Sequence, residues 1–598
     1  MDKKTITGVG ILFILMLTWQ PICYKMGWVS PPKKITKTEN VNKETNNIQE
    51  KSPLPKIKEQ KDIKPDNKKE TIPPALAQEE LSSPTDNIST EELKRQKLET
   101  VFFDNKKGLK LIIDPNIPAI KTARLKDHLN HDRTEKMSLG HENYPILELC
   151  SADGKRENNP KKIICNTDKL LVIEEYIPSK KLRIQYQWEF DDSIKYRFFY
   201  KIIYFNDSDV PISSKASYIN CGTMKPLQGA TKGMMAGGTQ GQAVDVFYTN
   251  EERDNFSLKA ISKEEMLIHD DFKEKIQWVA VKNKYFCSIV SPQNKINGFR
   301  LGFHEIKNQD FPEKIDEELI TTDLLLGKIS IPSHSSTTLS FDCFIGAQQY
   351  NLLRKTGESK EKVLGLDRFI MWNVGWMSIV TKIILKSLIA IERYIGTSYG
   401  YGLAIIIITM IIKMLFWPIT HKSTASMKRM QEIQPKVKAI REKHKDNPQM
   451  MNQEIMKMYK EKKVNPLGGC LPMLIQIPVF FALFNTFRSA VELRQANFLW
   501  IADLSLPDTV CHIASFPIRP LAVIMGIAMI LQQKLTPSSG DPSQKKMMYF
   551  MSIFFVVLLY GMPAGLTLYW TVNQIISIFQ YYFSHKYIEK KSQQEQTT

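Results

Sequence analysis

No two of the eight cysteines form a CxxC pair, and none is spaced with histidine as zinc ligands are; they fall at 23, 150, 165, 221, 287, 343, 470 and 511. That spacing points away from a tetrahedral metal cluster. Five of them lie between residues 150 and 343, an odd number, so no disulfide framework is indicated there. HExxH, GxSxG and GxxxxGK[ST] are also missing, so the sequence offers no zinc-protease helix, no nucleophile elbow and no phosphate-cradling loop. No cofactor is expected. Nor is there an acidic excess: the formal net charge is +18. Such a balance suits nucleic acid, a ribosome or an anionic membrane surface as a neighbour, and says nothing about fold.

What the chain does have is long uncharged runs beside very polar stretches, which the mean hydropathy of -0.26 averages away. Thr5 to Tyr24 carries no charge, enough to cross about 30 Å of hydrocarbon as a helix. We read residues 1–28 as an uncleaved transmembrane anchor; a cleaved signal peptide is the competing reading, and small residues at its end are wanting. Further uncharged runs are Tyr394 to Ile412 and Val464 to Phe487; a weaker span covers about His512 to Gln533, interrupted near its start by Pro517, Arg519 and Pro520. Met547 to Ser584 is 38 residues without charge. As one helix that run would be about 57 Å long, nearly twice the hydrocarbon thickness, so it must turn back. "GMPAG", Gly561 to Gly565, supplies the helix breakers. Six spans are therefore predicted, the last five at about 399–420, 465–487, 512–533, 547–562 and 566–584.

Orientation follows from flanking charge. The segment 421–464 and its neighbour Asn465 hold 12 Lys and Arg against 5 acidic residues, a cytoplasmic signature. Alternation then puts the N-terminus and the short basic tail 586–598 inside as well, and the large segment after the first span outside. Residues 29–97 read as a disordered Lys/Pro-rich linker: 31–75 alone has 11 Lys, 7 acidic residues and 7 Pro, too polar to offset chain entropy. From 98 to 350 the texture is β-rich. "LRIQYQWEFDD", "KYRFFYKIIYF" and "TTLSFDCFIG" read as strands, and an antiparallel β-sandwich is the simplest architecture. Within it "GMMAGG" at 233–238 reads as a loop, and His269, Asp270 and Asp271 as a solvated turn. The stretch 370–395 spaces Lys382, Lys386 and Arg393 among apolar residues at helical intervals, as an interfacial amphipathic helix or else a seventh span. The cytoplasmic segment reads as a helical hairpin turning at "KDNP". Its methionines, Met427, Met430, Met451 and Met456 among them, either glue the two helices together or present an adaptable surface to apolar clients.

One residue stands out in the spans. Lys413 sits in "TMIIKMLFWPIT" with no other charge near it, and a cation near the bilayer centre costs at least ~2.5 kcal/mol. Thr409, Lys413 and Trp417 recur every four residues, hence on one helix face. Gln476 adds a polar group to the third span, and Tyr569, Trp570 and Asn573 add more to the last. If these faces converge they line a wet cavity in which an ammonium is tolerated. The alternative is snorkelling of the lysine stem to the headgroups.

"NPLGGCLPMLIQIPVFFALF", "VELRQANFLWIADLS" and "PAGLTLYWTVNQIISIFQ" resemble the YidC/Oxa/Alb family of membrane protein insertases, in the YidC form that carries a large periplasmic domain. "GLAIIIITMIIKMLFWPIT", "QPKVKAIREKH" and "MYKEKKVNPLGG" follow the same order, and "IQWVAVKNKYFCSIV" is similar to the family's periplasmic domain. The resemblance implies a polytopic α-helical protein of the bacterial inner membrane, with a five-helix core over 398–585 around a hydrophilic groove, and no enzyme activity. Lys413 takes the place of the family's groove arginine, which keeps the charge and loses the bidentate fork. Implied partners are nascent membrane proteins, the Sec translocon (SecYEG and SecDF), a ribosome or signal recognition particle at the cytoplasmic loops, and the lipid bilayer, with no direct DNA binding. Two rival readings remain open: a small-solute transporter, against which the spans show no internal repeat, and a membrane-tethered carbohydrate-active enzyme.

Overall fold

The computed structural model describes residues 98–151, 159–214, 217–227, 242–258, 267–269, 275–307, 315–366, 375–397, 399–462, 464, 471–514, 516–535 and 542–597. The N-terminal anchor, the Lys/Pro-rich linker, "GMMAGG", Asp270 and Asp271 lie outside the described residues. All the described residues belong to one compact unit.

The strands arise where apolar side chains alternate. Along Arg197–Asn206 every second residue is buried, Phe198, Tyr200, Ile202 and Tyr204 facing inward, which is the period of two that a pleated strand imposes. Leu182–Phe190 does the same and pairs with it antiparallel, from Leu182 opposite Asn206 to Phe190 opposite Phe198. These strands sit in a nine-stranded sheet running, in spatial order, Arg253–Ser257, Ala243–Tyr248, Ile276–Lys282, Phe286–Pro292, Ser335–Ala347, Arg197–Asn206, Leu182–Phe190, Leu170–Ile177, Lys161–Asn166. A five-stranded sheet follows the order Leu267–His269, Gly298–Lys307, Ile315–Gly327, Ser217–Asn220, Glu148–Ser151. The two sheets meet across an apolar interior: Phe256 packs on Phe299 at 5.8 Å between ring centres, and the Tyr200 hydroxyl reaches the Leu147 carbonyl at 3.4 Å. Trp188 and Trp278 are fully buried there. A sandwich-like β-region with antiparallel pairing is thus present, as the alternating pattern predicts.

Chain leaving the last long strand is held by charge. The ammonium of Lys360, wholly buried, donates to Asp342 at 2.5 Å, and Asp342 also takes Arg197 at 2.9 Å. A buried cation persists only when paired in this way. A short helix α1, Tyr350–Lys355, precedes this lock.

The remainder is helical: α2 Gly375–Ile395, α3 Gly400–Glu432, α4 Gln434–Lys443, α5 Pro448–Glu461, α6 Leu471–Ser489, α7 Pro520–Leu535, α8 Pro542–Tyr560 and α9 Ala564–Thr597. α9 packs against α3, α6 and α7, α2 against α3 and α6, and α7 against α8. Among the described residues only α3 is long and apolar enough to cross a membrane; α7 and the Tyr549–Tyr560 part of α8 are shorter apolar helices. The count of six spans is not fixed by these helices.

Several boundaries differ from the sequence expectation. α3 does not stop near residue 420: it continues through Pro418 to Glu432, because a proline removes one hydrogen bond without ending a helix already held on both sides. The span expected from 512 begins only at Pro520. Before it, Cys511–Ile513 and Phe516–Ile518 form a two-stranded hairpin. Pro520 is preset for a first helical position, and Asp508 accepts the Leu521 backbone N–H at 2.6 Å, so the helix starts there. The break at "GMPAG" falls where expected, between Tyr560 and Ala564.

β-region and helices meet at one seam. Arg494 donates to the Leu129 carbonyl at 2.7 Å, Gln495 to Asn130 at 2.7 Å, and Arg133 to Ala502 at 2.5 Å. Here the turn following Ala119–Leu129 meets the loop following α6.

Candidate functional site

α3 and α9 cross so that Lys413 faces the middle of α9. Its ammonium donates to Ser577 Oγ at 2.7 Å, and that hydroxyl donates to the Asn573 carbonyl at 2.8 Å. Gln580 Nε2 donates to the Lys413 carbonyl at 3.4 Å. Asn573, Ser577 and Gln580 are four and three residues apart, one stripe of a helix. The Lys413 ammonium therefore contacts one neutral oxygen acceptor, and among the described residues no carboxylate is paired with it. In apolar surroundings that is the arrangement of a cation whose opposite charge comes from elsewhere.

Of the other residues singled out in the sequence, the structure gathers some and separates others. Thr409 is buried and turns its hydroxyl onto the Ile405 carbonyl at 2.6 Å. Trp417, on the same face of α3, is exposed. Gln476 of α6 donates to the Tyr569 hydroxyl, so the polar groups of α6 and α9 do meet. Trp570 is held between Phe480, edge-on at 5.1 Å, and Phe555, stacked at 5.6 Å. Asn573 is buried. Ser577 and Gln580 were missed by the sequence reading. The signal lay in the four-and-three spacing that begins at Asn573.

Three buried polar atoms on α9 have no hydrogen-bond partner among the described residues: Trp570 Nε1, Gln574 Oε1 and Gln580 Oε1. Each unpaired buried group costs about 1–3 kcal/mol, more in hydrocarbon, unless water reaches it. The outward faces are the reverse. Ile411, Met414 and Leu415 of α3, Val523 and Ile527 of α7, and Phe550, Ile553 and Val557 of α8 are all exposed. An apolar belt of that extent on a soluble monomer would be an interaction surface.

On the polar extension, α4 and α5 pack through Val437, Ile455 and Met458, with Met451 against them. Asn447 caps α5 by accepting the Met450 N–H at 3.1 Å. Met427 and Met430 are half-buried on α3, and Met456 is exposed. The methionines thus divide: Met451 and Met458 join the helices, and Met456 remains outside.

Comparison with known proteins bears on both halves. The family described as "60Kd inner membrane protein" matches residues 390–592, and the one described as "YidC periplasmic domain" matches 175–387. A relative named membrane protein insertase YidC from Pelobacter propionicus is 37% identical over 345 residues, covering 57% of this chain and 59% of its own. Another of that name from Geotalea daltonii is 38% identical over 317 residues, 53% of this chain and 54% of its own. The match spans a little more than half the length of these relatives. A crystal structure titled as an active YidC insertase with its first transmembrane domain resolved is 17% identical, covering 82% of this chain and 93% of that one, at a TM-score of 0.35. None of these matches supports the solute-transporter reading.

Proposed function

Since the chain belongs to the YidC family of membrane proteins, we propose that it is a membrane protein insertase of the bacterial inner membrane and that the α3–α9 face is where it receives its clients. The observation that carries this is Lys413: a cation whose one acceptor among the described residues is the Ser577 hydroxyl of α9, a helix that also holds three buried polar atoms without a partner among those residues. Water entering part-way from the cytosolic end would satisfy those atoms and hydrate the ammonium. The exposed apolar belt would face acyl chains.

A polar or acidic segment of a nascent membrane protein must shed its water to cross hydrocarbon, and that loss makes direct passage slow. A wet half-depth groove shortens the dry path. Lys413 draws the acidic residue in by charge, while the client's apolar segment slides along α3 and α9 into lipid. No covalent bond changes, no nucleotide is used and no cofactor takes part. The ammonium serves as a point charge, so an arginine at the position serves equally.

In this reading the six-span topology holds, with the β-region in the periplasm, α2 in the outer interface plane and the α4–α5 hairpin in the cytosol. The hairpin's basic charge suits a ribosome or signal recognition particle, and the Sec translocon is a partner for larger clients. The test is growth of a bacterium depleted of its own insertase. Lys413→Arg restores growth and Lys413→Glu does not; full support by the glutamate variant would overturn the role of the charge.

A further inference from the structure

In the six-span reading the chain between α6 and α7 lies on the outer side. There it builds the hairpin in which Cys511 pairs with Ile518, His512 with Pro517 and Ile513 with Phe516. Directly opposite residues share a face and successive ones alternate, so Cys511, Ile513, Phe516 and Ile518 lie together on one side. That side is apolar and open: Ile513 is 64% exposed and Phe516 58%. Cys511 is exposed as well. From Val510 to Ile518 there is no Lys, Arg, Asp or Glu. Large apolar side chains gathered on one face, rather than scattered singly, mark a contact surface.

The hairpin is fixed to the helices whose outward faces form the apolar belt. Phe516 packs on Tyr560, the last residue of α8, at 5.5 Å between ring centres, and the Tyr560 hydroxyl donates to the Pro517 carbonyl. Arg519 donates to the Tyr560 carbonyl at 2.7 Å and to Thr509 Oγ1 at 3.1 Å. The hairpin's open face thus adjoins the ends of the two helices that carry exposed Val523, Ile527 and Val557. Asp508 accepts the Trp500 indole N–H beside that of the Leu521 backbone, while the Trp500 ring stays 47% exposed. Tryptophan and tyrosine held in this way are the side chains that settle at a membrane–water boundary.

Length argues for lipid as the occupant. α7 has 16 residues, about 24 Å at ~1.5 Å per residue, and the apolar part of α8, Tyr549–Tyr560, is shorter still. Both fall short of the ~30 Å of hydrocarbon. Lys534 near the end of α7 and Lys546 near the start of α8 hold the inner ends at the cytosolic headgroups. The missing apolar height is therefore at the outer end, where the hairpin stands. Its three-residue strands offer about 10 Å of apolar surface there, at ~3.3 Å per residue. A two-stranded sheet has two open edges whose backbone groups need water, which keeps it from going deeper.

We propose that the Cys511–Ile518 hairpin is a membrane-contact element: the face bearing Ile513 and Phe516 lies in the outer leaflet, at the boundary between headgroups and acyl chains, and lengthens the lipid-facing surface of α7 and α8. The proposal rests on the six-span topology of the insertase reading. A second copy of the chain or a protein partner would be a different occupant, and neither supplies the height that the two helices lack.

Depth-dependent quenching tests it, with bimane on a single cysteine of the full chain, the native cysteines replaced, in lipid nanodiscs holding one copy each and lipids that carry a nitroxide on the upper acyl chain. Ile513→Cys and Phe516→Cys read the hairpin at two exposed positions; Ile527→Cys on α7 is the lipid reference and Ser179→Cys, exposed in the β-region, the aqueous one. Labels at 513 and 516 should be quenched about threefold or more above the label at 179, as a depth of ~5–10 Å requires, and the label at 527 should be quenched too. Quenching at 527 with 513 and 516 no different from 179 would overturn the proposal and leave the membrane reading standing. No quenching at any of the three would overturn both. Hairpin labels that are shielded from water only when a disc holds two copies or a Sec translocon would assign the face to protein, and that also overturns it.

Discussion

At the residue scale the telling groups are half-buried ionisable side chains with no oppositely charged partner among the described residues, and Glu492 joins Lys413 as one of them. It stands in the single turn Val491–Leu493, beyond the end of α6, with Oε2 buried and without a hydrogen-bond partner among the described residues. Burial raises its carboxyl from the ordinary 4.5 to about 7, and the neighbouring ionisable group is Tyr401 of α3. The folded protein thus holds this proton more tightly than the unfolded chain. Its contribution is fully present below about 4.5 and is lost as pH rises through about 7. Replacing Glu492 by Gln keeps the shape and removes the titration. The variant should melt several degrees above the wild type at pH 8 and together with it at pH 5, read by thermal unfolding in detergent. Equal melting at both values would mean that water reaches the carboxylate.

Among the elements, α3 shows most clearly what sequence can and cannot tell. Near its start Gly402 lies flat against Phe498 in the loop after α6, and a Cβ at 402 would run into the phenylalanine ring closer than side chains approach. Phe498 is buried and Gly402 is helical, so neither yields easily. Gly402→Ala should cost about 1–3 kcal/mol as overpacking, visible as a lowered unfolding midpoint, while Gly402→Val should cost more. An unchanged midpoint in both would show that the loop moves aside freely.

The position of Gly402 on an apolar helix was legible in the sequence; the reason for glycine was not, because Phe498 is 96 residues further on. The same distinction holds elsewhere. The alternation of Phe198, Tyr200, Ile202 and Tyr204 is a local pattern, and it fixes both the strand and its buried face. Lys413 was legible because one charge in a long apolar run is conspicuous. Ser577, to which it donates, was not, since a serine on a half-apolar helix is ordinary until the crossing of α3 and α9 is known. The hairpin at Cys511–Ile518 was hidden for another reason. Pro517, Arg519 and Pro520 mark an interruption in the sequence, but apolar residues before them read alike as helix or strand until the pairing of Cys511 with Ile518 is known.

Taken whole, the molecule joins a β-region to a helical region where Arg494 and Gln495 reach the carbonyls of Leu129 and Asn130. Each half keeps its own polar face: the row from Glu148 to Arg300 on the five-stranded sheet, and the Lys413 stripe between α3 and α9. The second is central to the proposed activity. It depends on water standing beside Lys413, since a dry ammonium bonded to one serine hydroxyl would be far from neutralised. A snorkelling lysine would need no such water at the helix axis.

These two cases separate when residue 413 is made a cysteine in a chain whose eight native cysteines are replaced, and a membrane-impermeant thiol reagent is added from the cytosolic side of sealed inner-membrane vesicles. The account predicts modification at 413 at a rate near that of an exposed cysteine on the α4–α5 hairpin, and none at a lipid-facing position such as 415. Protection of 413 to the same degree as 415 would contradict it.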